Sequence, residues 1–328
     1  MIYALIAVLL LLLFVMSASL YAFIRGGTRR DRTELFRAST VAPSGRYAFR
    51  DRMQQGVDWF ESQPKTELHI KSKDDLSLAA ELIEAENPIG LIVAVHGFRS
   101  WPAREFALVA KHLYESGYTV LYPYMRAHRK SEGKYITFGV KERCDIGAWA
   151  QLLAEKHPDL PLFLYGQSMG GATVIMASGL DLPANTRGII ADSAYHSPRD
   201  VIATALTQSY KVPVFPMLPA MDLWARLLAG YSITATNCQD AFDRTHLPFL
   251  FIHGTADELV PYAMGKLNYY HCKSEKQMLT VEGAAHCASY YVDPARYISY
   301  LDGFLKKYGK SPLPAVLLRI IIRVRTCS

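Results

Sequence analysis

The heptapeptide Tyr165-Gly166-Gln167-Ser168-Met169-Gly170-Gly171 constrains this chain more than any other stretch. Before it, Leu160 to Tyr165 is an apolar run of strand length; after it, Ala172 to Ala177 reads as a buried helix. A serine at the joint of a strand and a helix, with glycine two positions away on each side, is the G-x-S-x-G turn. Gly166 and Gly170 carry no Cβ, so the backbone can bend sharply around Ser168. Such a turn lifts the hydroxyl clear of a sheet. It also aims N–H groups of the helix start at developing negative charge. So short a motif also occurs by chance, and its surroundings decide its meaning.

Those surroundings are regular. Thr66 to Lys71 and Leu76 to Ile83 read as two strands joined at Lys73-Asp74-Asp75. Further strands are expected at Ile89 to Val95, Tyr118 to Tyr122, Leu160 to Tyr165, Arg187 to Ala191, Pro248 to His253 and Gln277 to Val281. Helices are expected at Ala103 to Ser116, Val140 to Lys156 and Pro294 to Lys307. From residue 89 onward, apolar strands alternate with helices. That pattern predicts an α/β fold with a mostly parallel central sheet and helices on both faces. Residues 198–243 are too long for a simple link and read as a lid inserted after a strand's C-terminal end. In it Val212 to Pro219, broken by three prolines, is expected to be irregular, and Leu223 to Leu228 helical.

The two ends have a different character. Ile2 to Ile24 contains no charged side chain. As a helix it would reach roughly 34 Å, enough to cross a bilayer core. A cleaved signal peptide is the competing reading, with Ser17-Ala18-Ser19 as its cleavage site. It calls for a basic start and a shorter apolar core, and neither is present. Arg25, Arg29, Arg30, Arg32 and Arg37 follow the span, which puts the body in the cytoplasm by the positive-inside rule. The organisation expected is a membrane anchor over 1–25 and a basic connector with an amphipathic helix over 26–64. The α/β domain follows over 65–310, then a basic apolar tail over 311–328.

In the connector, Phe49, Met53, Val57 and Phe60 recur at helical spacing, as for a helix packed on the domain's edge. The tail, Pro314 to Arg325, can lie on a membrane surface or dock on the body. Much of the net charge of +6 sits at the two ends, and no basic stripe of the kind that tracks nucleic acid is present. The five cysteines are scattered, without metal-ligand spacing or a disulfide framework, which suits a reducing compartment. No metal or organic cofactor is called for.

A serine hydroxyl is a poor nucleophile until a base takes its proton, and the base must be held by a third group. The strand Phe249 to Ile252 runs into His253-Gly254-Thr255-Ala256-Asp257-Glu258, and the strand Met278 to Val281 into Glu282-Gly283-Ala284-Ala285-His286. Ser168, Asp257 and His286 thus stand at C-terminal strand ends, the edge where open α/β sheets place their sites. Their order, Ser then Asp then His, is that of the strand-turn-helix nucleophiles. Asp192 ends another strand but precedes the lid and fits the order less well. Glu258 would point away if Asp257 points in, and His253 reads as a packed strand-end residue. Asp145, early in its helix, is expected to hold a neighbouring loop. The N–H groups of Met169 and of Phe98, the latter after the flexible His96-Gly97, are the expected oxyanion donors.

The motifs His96-Gly97-Phe98, Gly166-Gln167-Ser168-Met169-Gly170-Gly171, His253 to Pro261 and Gly283-Ala284-Ala285-His286 resemble those of the α/β-hydrolase superfamily over about residues 65–308. Within it the chain is similar to serine aminopeptidase/monoacylglycerol-lipase-like hydrolases and bacterial carboxylesterases. The resemblance implies Ser168 as nucleophile, Asp257 as orienting acid and His286 as general base. It departs at Arg126-Ala127-His128, where relatives often carry a second glycine. The expected function is a membrane-anchored serine hydrolase that cleaves carboxylic esters, lipid-like ones included, through an acyl-enzyme. Phe98, Phe215 and Trp224 are expected to contact the substrate. The alternatives are a thioesterase, peptidase or acyltransferase with the same triad, or a silent binding protein on this fold.

Overall fold

The computed structural model describes residues 1–30 and 49–310. Arg32, Arg37, the stretch 38–48 and the tail 311–328 lie outside the described residues. Eight strands run along the chain. They are β1 (Thr66–Lys71), β2 (Ser77–Ile83), β3 (Gly90–Val95), β4 (Tyr118–Pro123), β5 (Leu162–Gln167), β6 (Thr186–Asp192), β7 (Phe249–Gly254) and β8 (Lys276–Val281). They form one sheet in the order β1-β2-β4-β3-β5-β6-β7-β8. β2 is antiparallel to both neighbours, and β3 to β8 are parallel. All eight expected strands are present, with ends displaced by a residue or two.

The helices are α1 (Ile2–Gly27), α2 (Arg50–Ser62), α3 (Pro102–Glu115), α4 (Glu142–Lys156), α5 (Met169–Ala177), α6 (Pro198–Thr204), α7 (Val214–Ala229), α8 (Cys238–Phe242), α9 (Tyr262–His271), α10 (Ser289–Val292) and α11 (Pro294–Gly309). The two-residue period of the strands divides the core into two layers. Leu91, Val93, Leu162 and Leu164 face a layer built with Trp149 of α4, Ile175 of α5 and Phe242 of α8. Ile92, Ala94, Phe163 and Tyr165 face the other, built with Phe60 of α2, Phe106 of α3 and Phe304 of α11. β3 and β5 are therefore buried on both faces, which is why they read as unbroken apolar runs. The amphipathic α2 packs as its spacing predicts: Met53 and Phe60 are fully buried.

The lid departs from expectation in one place. Helical backbone begins well before Leu223. Phe215 is still extended (φ −99°, ψ 130°), and α7 runs on from Pro216. Proline suits the first helical position, because its φ is already fixed and the N–H it lacks would have no partner there. Pro219, also inside α7, falls in that same first turn. The prolines that suggest an irregular segment are the ones that start this helix.

The other finding concerns α1. Met1 to Phe14 are all exposed, but Ser19, Phe23 and Gly27 are buried. The last turns of α1 pack into an apolar cluster with Leu206 and with Leu218 and Met221 of α7. Past the helix, the chain is stitched to the body: Ile136 N–H donates to Gly27 O at 2.8 Å and Arg29 N–H to Lys134 O at 2.8 Å. Arg99 caps the helix by donating to the carbonyls of Arg25, Gly26 and Thr28. A cation at that end also opposes the helix dipole.

Truncating Met53, which α2 buries fully, leaves a cavity that the packed helix cannot close. Met53→Ala is expected to lower unfolding stability by about 2–5 kcal/mol. Urea titration followed by fluorescence measures it.

Candidate active site

The site is built where β5 turns into α5. Ser168 has φ 55° and ψ −120°, a left-handed conformation that a residue with a Cβ rarely adopts. The turn holds because the neighbouring backbone packs against it too closely for side chains. A Cβ at Gly170 would lie 2.0 Å from Val95 O, and one at Gly166 would lie 2.2 Å from Gly170 O. Ser168 N–H donates to Asp192 O at 2.8 Å, which ties the turn to β6.

Ser168 Oγ lies 2.8 Å from His286 Nε2, and His286 Nδ1 lies 2.7 Å from Asp257 Oδ2. The structure thus brings together three side chains that the sequence separates by more than a hundred positions. The hydroxyl donates to Nε2 and the ring donates from Nδ1, which fixes one tautomer. Asp257 is itself saturated. Its Oδ1 accepts from the N–H groups of Leu259 at 3.0 Å and Val260 at 2.9 Å. Its Oδ2 also faces His253 Nε2 at 3.3 Å. Burial pushes this carboxyl up, but the His286 charge and the hydrogen bonds from His253 and His286 outweigh it and hold it well below the usual range. Burial disfavours the His286 cation, yet the Asp257 carboxylate beside it raises His286 well above its ordinary value.

The expected oxyanion donors stand on two segments. Met169 is the first residue of α5, where an N–H has no acceptor within the helix. Phe98 follows Gly97, whose backbone comes so near that a Cβ there would lie 3.1 Å from Ser168 Cβ. Two histidines hold this loop. His96 Nε2 accepts from Met125 N–H at 3.1 Å, so its proton sits on Nδ1 and is donated to Gly97 O at 2.8 Å. His128 Nε2 accepts from Arg99 N–H at 3.0 Å and its Nδ1 donates to Arg126 O at 2.8 Å. Burial pushes His96 down to about 4, so it stays neutral and structural, as expected.

At Arg126-Ala127-His128 the loop makes its turn without a second glycine. Ala127 takes the left-handed backbone itself, at φ 61°. Arg126 anchors the loop with a forked pair to Asp145 at 2.7 and 2.8 Å, and reaches Asp74 at 2.9 and 3.0 Å. Asp145 therefore holds a loop, as its position predicted. Asp192 does not reach His286. It accepts from Ser193 Oγ and from Tyr297 OH, both at 2.9 Å, and burial pushes its carboxyl up to about 6. Glu258 is exposed.

A cavity of ≈ 190 Å³ opens beside Ser168, lined mainly by apolar side chains, Phe98, Phe138, Leu206 and Met221 among them. Of the three expected substrate contacts, Phe98 lines it. Phe215 does not: it is 78% exposed on the outside of the lid. Trp224 does not either, because its ring is turned to α1, where Nε1 donates to Met16 O and Ser19 Oγ at 3.1 Å each. Size and apolarity alone cannot tell the inner from the outer face of a lid. The residues that sequence reasoning missed are Ala22, Phe23, Gly26 and Gly27 of α1, which form one wall of the cavity. Their signal was the small residues Ser19, Ala22 and Gly26 at helical spacing, which let another element approach closely.

Solved structures with this architecture are known. The Pyrococcus furiosus esterase Pf2001 superposes with a TM-score of 0.62 over 76% of this chain and 92% of that one, at 23% identity. The Pyrococcus horikoshii acylaminoacyl peptidase does so with a TM-score of 0.56 over 79% of this chain and 44% of that one, at 17% identity. The sequence model of the family described as serine aminopeptidase, S33 matches residues 86–232. The chain has the α/β-hydrolase fold and is similar to that family over the matched residues.

Among sequence relatives of this chain, the Bacillus subtilis (strain 168) protein YqkD is 26% identical over 254 residues, 77% of this chain and 83% of that protein. The human alpha/beta hydrolase domain-containing protein 17C is 29% identical over 174 residues, 52% of this chain and 43% of that protein. The match to the human protein spans less than half of its length.

The contact between Gly170 and Val95 O predicts that one methyl group suffices to break the site. Gly170→Ala is expected to yield little folded protein, whereas Gly26→Ala, whose Cβ would meet nothing within 4 Å, folds normally. Soluble-fraction yield in detergent and circular dichroism compare the two.

Proposed function

We propose that this chain is a serine hydrolase that cleaves carboxylic esters through an acyl-enzyme on Ser168. One observation carries the reading: the unbroken run of short hydrogen bonds from Ser168 Oγ through His286 to Asp257. In this reading His286 Nε2 takes the hydroxyl proton as Ser168 Oγ attacks the carbonyl carbon. The N–H groups of Met169 and Phe98 hold the oxygen that gains charge. The tetrahedral adduct collapses, the C–O bond to the alcohol breaks, and His286 returns the proton to the leaving alkoxide. Water then attacks the acyl carbon with His286 as base, and Ser168 is released. Asp257 stays ionised throughout and orients the ring. No step calls for a metal or organic cofactor.

The apolar lining supports an acyl chain as the group bound next to Ser168. Esterase and peptidase neighbours share the fold, and the lining favours the ester reading because it offers little to recognise a polar amine. We further propose that α1 anchors the chain in a membrane as a single span. Its length and apolarity support this. So do the hydrogen bonds from Trp224 to Met16 O and Ser19 Oγ, which cleavage at Ser17-Ala18-Ser19 would break. The arginines after the span support a cytoplasmic position for the catalytic body.

Turnover of p-nitrophenyl esters of increasing acyl length tests the reading. Ser168→Ala is expected to lose at least about 10⁴-fold in kcat with the fold intact; unchanged turnover would exclude the mechanism. The pH profile follows from the same contacts. The base must be neutral, and its pKa is raised by Asp257. Activity is therefore absent at low pH and appears as pH rises through a midpoint above the ordinary histidine value of about 6.5. Asp257→Asn removes the negative charge. It should move that midpoint down and cut kcat by about 10⁴-fold.

A further inference from the structure

The length of α1 and the place where it meets the lid cannot be chosen independently. Only Met1 to Phe14 stand free of the body. Fourteen helical residues reach about 21 Å, short of a hydrocarbon core of roughly 30 Å. A span therefore has to include Met16 and Ser19, the residues to which Trp224 of α7 donates. The lid helix is drawn to the bilayer surface with them. Leu227 and Leu228 lie three and four residues past Trp224, on the same side of α7 and one turn along. They are 65% and 42% exposed, and Leu223 is 43% exposed. Tyr21 and Ile24 of α1 are exposed at 66% and 42%. Water would wet these groups at a cost, but the edge of a bilayer would cover them. An indole at the boundary between apolar and polar zones is also where tryptophan is enriched in membrane proteins.

The same junction borders the cavity. Ala22, Phe23 and Gly26 of α1 and Met221 of α7 line it from this side, and Tyr210, itself 66% exposed, stands at its rim. We propose that the bilayer covers the outer face of α7, and that the chain takes an acyl ester dissolved in that bilayer directly into the cavity beside α1. The proposal rests on the anchored-hydrolase reading above. It adds the source of the substrate and a second membrane contact, through the lid. It also gives a role to the exposed Leu223, Leu227 and Leu228 of the lid, which do not line the cavity.

The test uses the full chain in phosphatidylcholine vesicles. Leu227→Glu/Leu228→Glu places two carboxylates on the outer face without touching the cavity. Hydrolysis of p-nitrophenyl palmitate carried in the vesicle should fall roughly tenfold or more, because charged groups resist burial at the acyl boundary. Hydrolysis of p-nitrophenyl acetate from solution should stay within about twofold of wild type, which also shows that the variant folds. Equal rates with wild type on both esters would overturn the proposal. A second measurement needs no activity: in Leu227→Trp, the added indole should be quenched by lipids brominated on their acyl chains. Absence of that extra quenching overturns the membrane seat. If wild type instead fails to turn over the soluble ester, the hydrolase reading falls, and the quenching still decides whether the lid meets the bilayer.

Discussion

The carboxylate of Asp257 accepts three hydrogen bonds, two from the backbone N–H groups of Leu259 and Val260 and one from the ring of His286, and it faces the ring of His253 at 3.3 Å. A buried carboxylate is costly to leave unpaired and cheap to keep once its lone pairs are filled. Here they are filled by its own loop, and one donor is the ring that must be aimed at Ser168. The orientation of His286 is thus paid for by the folding of the loops after β7 and β8. Removing either backbone bond would loosen the ring before it touched the chemistry.

Ser168 is placed chiefly by close packing, with one backbone hydrogen bond to Asp192 O. Gly170 sits against the carbonyl of Val95, so the β5–α5 turn cannot relax away from the end of β3. Because the segment after β3 also carries Gly97 and Phe98, one packing contact sets Ser168 and the loop beside it together. That loop then leads to Arg99, whose guanidinium caps α1. From the sheet to the first helix, each element is held by the one that positions the site. The apolar N-terminus is consequently part of the cavity wall and not a tether attached to a finished domain.

Most of this was legible in the sequence, for identifiable reasons. Buried parallel strands such as β3 and β5 leave unbroken apolar runs, and loops at their ends concentrate small and ionisable residues, so Ser168, Asp257 and His286 could be named from position. α9 went unread because Tyr262 to His271 mixes aromatic, charged and small residues without a clear face. The start of α7 was misread because prolines break helices in the middle and start them at the N-terminus. Phe215 and Trp224 were assigned to the substrate because a lid's apolar residues look alike whether they face the cavity, α1 or the outside. The role of α1 was hidden for a similar reason: a run apolar enough to cross a membrane masks any packing pattern it also carries.

The claim on which the account stands is that His286, held by Asp257, makes Ser168 a nucleophile. Labelling with a fluorophosphonate, followed by peptide mass spectrometry, tests it most directly. The account predicts a single modified serine, Ser168, in the wild type and loss of the label in His286→Ala with the fold retained. A label on another serine, or undiminished labelling of Ser168 without the imidazole, would contradict it.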